Sequence, residues 1–273
     1  MATERPTDQE SHWERTYAGD EAFFGEEPSG FARAALELFR AEGIHGVIEL
    51  GSGQGRDALF FAENGLGVTA LDYSETAVAQ LNEKARAAGL SSLVAARLHD
   101  LRTPLPYPDN SFDACYSHML LCMELTSDEI TFLLGEIRRV LRFGGLNLYS
   151  VRSTFDKHYR AGTRLREDTY DVGGFVVQFF SEDKIRRFAG GYDVVEISRM
   201  EEGSLPRDLF AVALRKSAAP MHDPARAAKE SPMADPMEKF QEFFDATYNS
   251  GVLDRKTKHL VALGASLAIA CDT

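Results

Sequence analysis

Along the first 216 residues, short apolar runs alternate with segments patterned at helical spacing. "GVIEL" (46–50), "GVTALD" (67–72), "SLVAARLHD" (92–100), "SFDACYSH" (111–118) and "LNLYSVRS" (146–153) read as strands. The intervening segments carry helix ends: Ser29 caps a helix that stops at Gly43, and Ser74 caps one that stops at Gly89. Over 127–142 the pattern is plainest. Thr126 and Glu129 form a capping box, Ile130, Leu133, Leu134, Ile137, Val140 and Leu141 fall on one face, and Gly144 with Gly145 ends the helix. Strands alternating with helices imply right-handed crossovers and a parallel sheet, so the fold class is α/β. After "FFSEDKIRRFAGG" the order changes. "YDVVEISRM" and "RDLFAVALRK" follow each other with only a turn between, which predicts an antiparallel hairpin at the sheet edge.

Beyond Lys216 the pattern lapses. Residues 217–235 are rich in Ala, Pro and charge without apolar periodicity and read as a linker. Helical patterning resumes over 236–273, where Phe240, Phe243, Phe244, Leu260, Leu263 and Leu267 mark apolar faces that need a partner. That partner is the main domain, a second copy in a homo-oligomer, or the remainder of a truncated domain.

"VIELGSGQGRDA" (47–58) sets three glycines in five residues behind an acid and an apolar run. Glycine admits positive φ and lets a ligand approach the backbone, and the helix starting near Arg56 aims free N–H groups at it. Up to this point a dinucleotide site fits equally well. The spacing separates the two: a dinucleotide fingerprint is G-x-G-x-x-G, whereas here it is G-x-G-x-G, with Arg56 in the place of the third glycine. Glu49, two residues before Gly51, would repel a pyrophosphate but suits an ammonium. Asp72, ending the second strand, is placed to accept from both hydroxyls of a ribose. His99-Asp100, ending the third, can accept from the exocyclic amine of an adenine. Amine, ribose and adenine together describe S-adenosylmethionine.

"VIELGSGQGRDA", "VTALDYSETAV", "HDLRTPLPYPDNSFDACYSH" and "LLGEIRRVLRFGGLNLYS" resemble, in order and spacing, successive motifs of the class I S-adenosylmethionine-dependent methyltransferases. The resemblance covers residues 29–216. It implies a Rossmann-like, seven-stranded, mostly parallel sheet ending in the antiparallel hairpin, followed here by a short C-terminal helical segment. Carried over by position, it places Gly51, Ser52, Gly53 and Gly55 along the methionine and ribose portion of the cofactor, with Glu49 nearby. Asp72 would bind the ribose, Tyr73 would flank the adenine, and Asp100 with Leu101 would bind its edge. Ser117 and His118 would face the methyl-donor pocket. "HWERTYAGDEAFFGEEPS" is similar to the openings of tellurite-resistance-type and thiopurine-type small-molecule methyltransferases, so residues 1–28 are expected to form a lid with Trp13 and Tyr17 over the cofactor. "GVLDRKTKHLVALGASLAIACDT" resembles the start of the carboxymuconolactone decarboxylase and alkylhydroperoxidase-type helical family. Only Cys271 of that family's redox pair is present, so no redox activity is expected.

Methyl transfer from a sulfonium is an in-line displacement whose leaving group is already activated, so alignment supplies most of the catalysis. A base is needed only for a nucleophile protonated at neutral pH. His118 is the candidate base, against a packing or hydrogen-bonding role. His158 and Tyr159 lie in a long loop after the fifth strand, where acceptor sites are commonly built. Arg152 and Arg164 could hold an anionic acceptor or be surface charges, and Asp113 serves the start of its strand. Cys115 and Cys122 could join in arsenic chemistry, but buried cysteines behave as small apolar residues.

Composition narrows the partners. The net charge of −12 argues against nucleic acid, and ten of the twelve charges belong to the first 216 residues. No apolar run approaches a membrane span. A polar, acidic N-terminus and three cysteines fit the cytoplasm. The expected function is methyl transfer to a small molecule without a metal. A cofactor binder lacking transfer activity and an NAD(P)-dependent oxidoreductase are the alternatives.

Overall fold

The structure, a computed structural model, describes residues 9–203 and 207–217. The chain divides into two units, residues 1–220 and 221–273. The expected C-terminal helices, with Cys271, lie outside the described residues, as does most of the expected linker.

The elements in chain order are α1 (Gln9–Gly19), α2 (Gly30–Ala41), β1 (Gly46–Leu50), α3 (Arg56–Glu63), β2 (Gly67–Asp72), α4 (Glu75–Ala87), β3 (Val94–Leu98), β4 (Phe112–His118), α5 (Ser127–Val140), β5 (Leu141–Arg152), β6 (Thr163–Arg166), β7 (Thr169–Val172), β8 (Phe175–Gln178), α6 (Glu182–Phe188), β9 (Tyr192–Glu202) and β10 (Arg207–Lys216). The main sheet has seven strands in the order β3-β2-β1-β4-β5-β10-β9. Its first five are mutually parallel, and β10 runs antiparallel to both β5 and β9. Strand order reverses between β1 and β4, which opens a crevice at their carboxyl ends.

Alternation along the strands builds the two apolar layers. Ile48, Cys115 and Tyr149 face the layer containing Leu133 and Ile137 of α5. Val47, Tyr116 and Leu148 face the layer containing Phe39 of α2, Phe61 of α3 and Leu81 of α4. The caps are those read from the sequence. Ser29, Ser74 and Thr126 each accept from a backbone N–H of the first turn, and the Thr126–Glu129 box is reciprocal.

Three features depart from the sequence reading. Helix α5 stops at Val140 rather than 142, because Leu141 pairs with Phe112 and the chain enters β5 there. The segment read as a long loop after the fifth strand holds a separate three-stranded antiparallel sheet, β6-β7-β8, of four residues per strand. The lid segment contains α1, whose charge-rich sequence QESHWERTYAG has no strong apolar stripe. Polar bonds hold it instead. The Glu14 carboxylate accepts from Thr76 N at the start of α4 (3.0 Å), the Gln80 side chain donates to Tyr17 O (3.1 Å), and Gln9 bonds to Gly174 O (3.0 Å) and Val176 N (3.2 Å) beside β8.

A buried polar knot ties the crevice to the core. The Asp57 carboxylate at the start of α3 accepts from Ser29 N, Ser29 Oγ and Tyr116 Oη, each at 2.8 Å. It thereby fixes α2, α3 and β4 to one another. Tyr116→Phe should lower unfolding stability by about 1 kcal/mol, one exchanged hydrogen bond. Asp57→Ala, which strands the hydroxyl and the backbone N–H, should cost on the order of 3 kcal/mol. Urea unfolding of both variants checks this; equal losses would contradict it.

Candidate functional site

The turn that closes β1 is held open by glycine. Gly53 and Gly55 sit at φ +51° and +83°, and a Cβ at Gly55 would lie 2.1 Å from Leu81 Cδ1. At Gly53 a Cβ would lie 2.9 Å from the Tyr17 hydroxyl, so α1 rests directly on the loop. The Asp72 carboxylate at the tip of β2 accepts from Gly53 N (2.8 Å) and Ser74 N (2.9 Å), joining the glycine loop to the start of α4.

These elements enclose a cavity of about 710 Å³ at the carboxyl edge of the sheet, which Glu49, Gly51, Ser52, Gly53, Gly55, Asp72, Tyr73, Leu101, His118 and Tyr17 all line. Trp13 also lines it, stacked on Tyr17 at 5.5 Å and tilted against Phe24 and Phe175. A second cavity of about 450 Å³ adjoins, sharing Trp13, Tyr73, Leu101, Leu120 and Met123. Asp100 lines only this second cavity, and its carboxylate is gripped by Arg102 through Nε (2.8 Å) and Nη2 (2.8 Å), which holds it below its ordinary range. Ser117 corrects the sequence reading: it is 1% exposed and lines neither cavity, because alternation along β4 sets it and His118 on opposite faces.

Glu49 is the least compensated group. It is 3% exposed, and its Oε2 has no hydrogen-bond partner. Burial, then the neighbouring Asp57 and Asp72, pushes its carboxyl well above the ordinary value. Ser52 Oγ is likewise buried without a partner. Burial also raises Asp72, against the pull of the N–H groups of Ser74, Gly53 and Tyr73.

His118 is a donor by its hydrogen-bond network. Ser150 Oγ accepts from Met119 N (3.0 Å) and lies 2.7 Å from His118 Nδ1. The hydroxyl proton has no other acceptor among the described residues, so it goes to Nδ1 and the ring proton sits on Nε2. Nε2 is buried and has no partner. Burial pushes the imidazole down to about 4. In that tautomer His118 is a neutral ring with its proton on Nε2, an assignment that follows from Ser150, which the sequence reading did not connect to it.

Other candidates fall elsewhere. Arg152 is no surface charge: it is buried in a two-bond pair with Asp156 (2.7 and 2.8 Å), which also engages His158 Nδ1 at 3.0 Å. The Tyr159 hydroxyl donates to Asp168 (2.8 Å), Arg164 is exposed on β6, and Asp113 pairs with Arg142. Cys115 and Cys122 are free and buried, their thiols pushed up by burial. Gln54, Glu202 and Arg207, by contrast, line the larger cavity and were not read from the sequence as site residues. Gln54 bonds to Phe23 N, Asp20 O and Gln80, fastening the glycine loop to the segment after α1. Gln54 stands inside the glycine motif, where the glycines and not the amide carry the signature, and Glu202 and Arg207 lie outside every motif read from the sequence.

Residues 47–145 match the family described as methyltransferase domain. No curated protein matches the chain significantly. Similar solved structures include an S-adenosylmethionine-dependent methyltransferase from Methanosarcina mazei (TM-score 0.57, 19% identity, covering 64% of this chain and 93% of that one). The CcbJ methyltransferase from Streptomyces caelestis is similar at TM-score 0.56 and 20% identity, over 73% and 100% of the two chains. TehB from Haemophilus influenzae is similar at TM-score 0.53 and 19% identity, over 68% and 62%. Residues 47–145 are therefore a methyltransferase domain, and the cofactor it indicates is S-adenosylmethionine. The family match, over residues 47–145, does not extend to the C-terminal segment that resembles the carboxymuconolactone decarboxylase-type family. Among the described residues, no helix is long and apolar enough to cross a membrane.

The raised Glu49 carboxyl has a readable consequence. The folded chain binds its proton where the unfolded chain has lost it, so this group's contribution to stability falls as pH rises from the ordinary 4.5 through its raised value. Glu49→Gln should remove that loss. Its stability should exceed wild type's by more at about pH 7 than at about pH 5 in urea titrations; a constant difference would contradict it.

Proposed function

We propose that this chain transfers the methyl group of S-adenosylmethionine to a small-molecule acceptor. The observation that carries the reading is Glu49: a buried carboxyl with an unpartnered oxygen, lining the same cavity as Asp72 and the glycine loop. An unpaired buried acid is costly in the free protein, and a ligand ammonium would supply its counter-charge. Asp72 has one N–H on each oxygen and keeps lone pairs for two ribose hydroxyls. Tyr73 and Leu101, shared by the two cavities, would flank the adenine, and Asp100 beyond them would meet its edge.

When bound, the cofactor supplies a sulfonium methyl that an acceptor lone pair displaces in line, the sulfur keeping the electrons of the broken bond. The protein's own residues align and shield. Trp13 and Tyr17 cover the cavity, while the Met119 backbone, at φ +57°, turns the chain sharply after His118. His118 Nε2–H would donate to the acceptor or to the cofactor rather than remove a proton. A nucleophile protonated at neutral pH would pass its proton to water. The acid-lined cavity and the net charge of −12 favour a diffusible small acceptor over a nucleic acid. The free thiols of Cys115 and Cys122 support a cytoplasmic setting.

Thermal unfolding with S-adenosylmethionine, S-adenosylhomocysteine and NAD tests the ligand. Either adenosyl compound at a hundredfold its Kd should stabilise by about 2.7 kcal/mol, and NAD should not; stabilisation by NAD alone would overturn the reading. Release of S-adenosylhomocysteine with a panel of thiols, amines and hydroxyl compounds separates transfer from binding.

A further inference from the structure

Arg207 opens β10 at the carboxyl edge of the sheet, half-buried, and its side chain lines the larger cavity. Three cations line that cavity. Arg56 donates to Phe24 O (3.0 Å) and pairs with Glu202 (3.7 Å), and Lys84 donates to Glu21 O (2.8 Å). Arg207 has neither hydrogen bond nor ion pair among the described residues.

The carboxylates around it are already taken. Glu202, its register partner on β9, holds Arg56 and Gly30 N; Asp156 holds Arg152 and His158; Asp208 holds Arg199 and the Ser153 hydroxyl. Burial, and then the charge of Arg152, makes the guanidinium harder to keep protonated than usual. A half-buried cation with no partner among the described residues is open to a counter-ion carried by a ligand in the cavity.

The cofactor's own carboxylate is poorly placed to be that counter-ion. It shares a carbon with the ammonium that Glu49 on β1 would neutralise. Across the sheet β10 lies three strand steps from β1, about 14 Å at about 4.8 Å per step. The space between belongs to β4 and β5, where His118 lines the cavity. A phosphate is also a poor match, because a dianion would face one guanidinium with no second free cation among the described residues lining the cavity.

Resting on the methyl-transfer reading, we infer that Arg207 binds the carboxylate of the methyl acceptor as a planar two-bond pair, with the accepting atom directed toward His118. Guanidinium and carboxylate match in shape, which a lysine ammonium does not reproduce. The acceptor class is thus a small carboxylic acid bearing a second, nucleophilic group.

Calorimetry on the full chain tests this. S-adenosylhomocysteine should bind wild type and Arg207→Gln with the same Kd within twofold. At saturating S-adenosylhomocysteine, wild type should bind phenylacetate or succinate at least tenfold more tightly than the matching amide. Arg207→Gln should erase that preference, and Arg207→Lys should retain part of it. Arg207→Gln should also melt no lower than wild type, since it removes a half-buried charge that has no partner among the described residues. No acid preference in wild type, a preference that survives in Arg207→Gln, tighter binding of phenyl phosphate than of phenylacetate, or a lower melting temperature would overturn the assignment. Weaker S-adenosylhomocysteine binding by Arg207→Gln would give Arg207 to the cofactor and overturn it too. Wild type that fails to bind S-adenosylhomocysteine would instead remove the methyl-transfer reading beneath it.

Discussion

The two bonds that the Asp72 carboxylate accepts, from Gly53 N and Ser74 N, hold the cavity in shape. A loop with left-handed residues has no ladder of its own to fix it, and the tip of β2 supplies the missing anchor. Once Gly53 is pinned, Gly55 starts α3 against Leu81 of α4, and Tyr17 of α1 can settle on the loop. The lid, the glycine turn and the acidic tip are therefore one mechanical unit. The same carboxylate that organises the loop would, in the proposed function, meet the ribose.

The cavity is also where the chain gives up stability. Glu49 keeps a carboxyl oxygen, Ser52 a hydroxyl and His118 a ring nitrogen buried without a partner, and the Arg207 guanidinium has no ion pair among the described residues; His12, Tyr107 and Asn147, which do not line that cavity, also hold buried atoms without a partner. Elsewhere the chain compensates buried charge carefully, as in the pair of Arg152 with Asp156 and the knot of Asp57 with Ser29 and Tyr116. In the proposed function a ligand with complementary groups would complete the unpartnered groups of the cavity wall. Positive charge is called for beside Glu49, and negative charge beside Arg207, on the far side of His118.

Much of this was legible in the sequence because it is written locally. The strands announce themselves by apolar runs, the helices by Ser29, Ser74 and Thr126, and the loop by three glycines in five residues. Glu49 and Asp72 follow from standing at strand tips. What escaped is set by contacts distant in sequence. Helix α1 stays in place through Glu14 with Thr76 and Gln9 with Val176, neither of which leaves a periodic trace. The strands β6 to β8 are too short to alternate visibly. The role of the His118 ring depends on Ser150, one strand over, and the state of Arg207 depends on carboxylates of other strands and loops that already hold other partners. Ser117 was misjudged by one residue, which on a strand is the opposite face.

The account stands on Asp72 reading a ribose at the tip of β2. The most direct measurement is the calorimetric affinity of the unaltered chain for S-adenosylhomocysteine and for its 2′,3′-dideoxy counterpart. Loss of both hydroxyls should weaken binding at least tenfold, since it leaves a buried carboxylate without the partners it is placed to receive. Equal affinity for the two compounds would contradict the account.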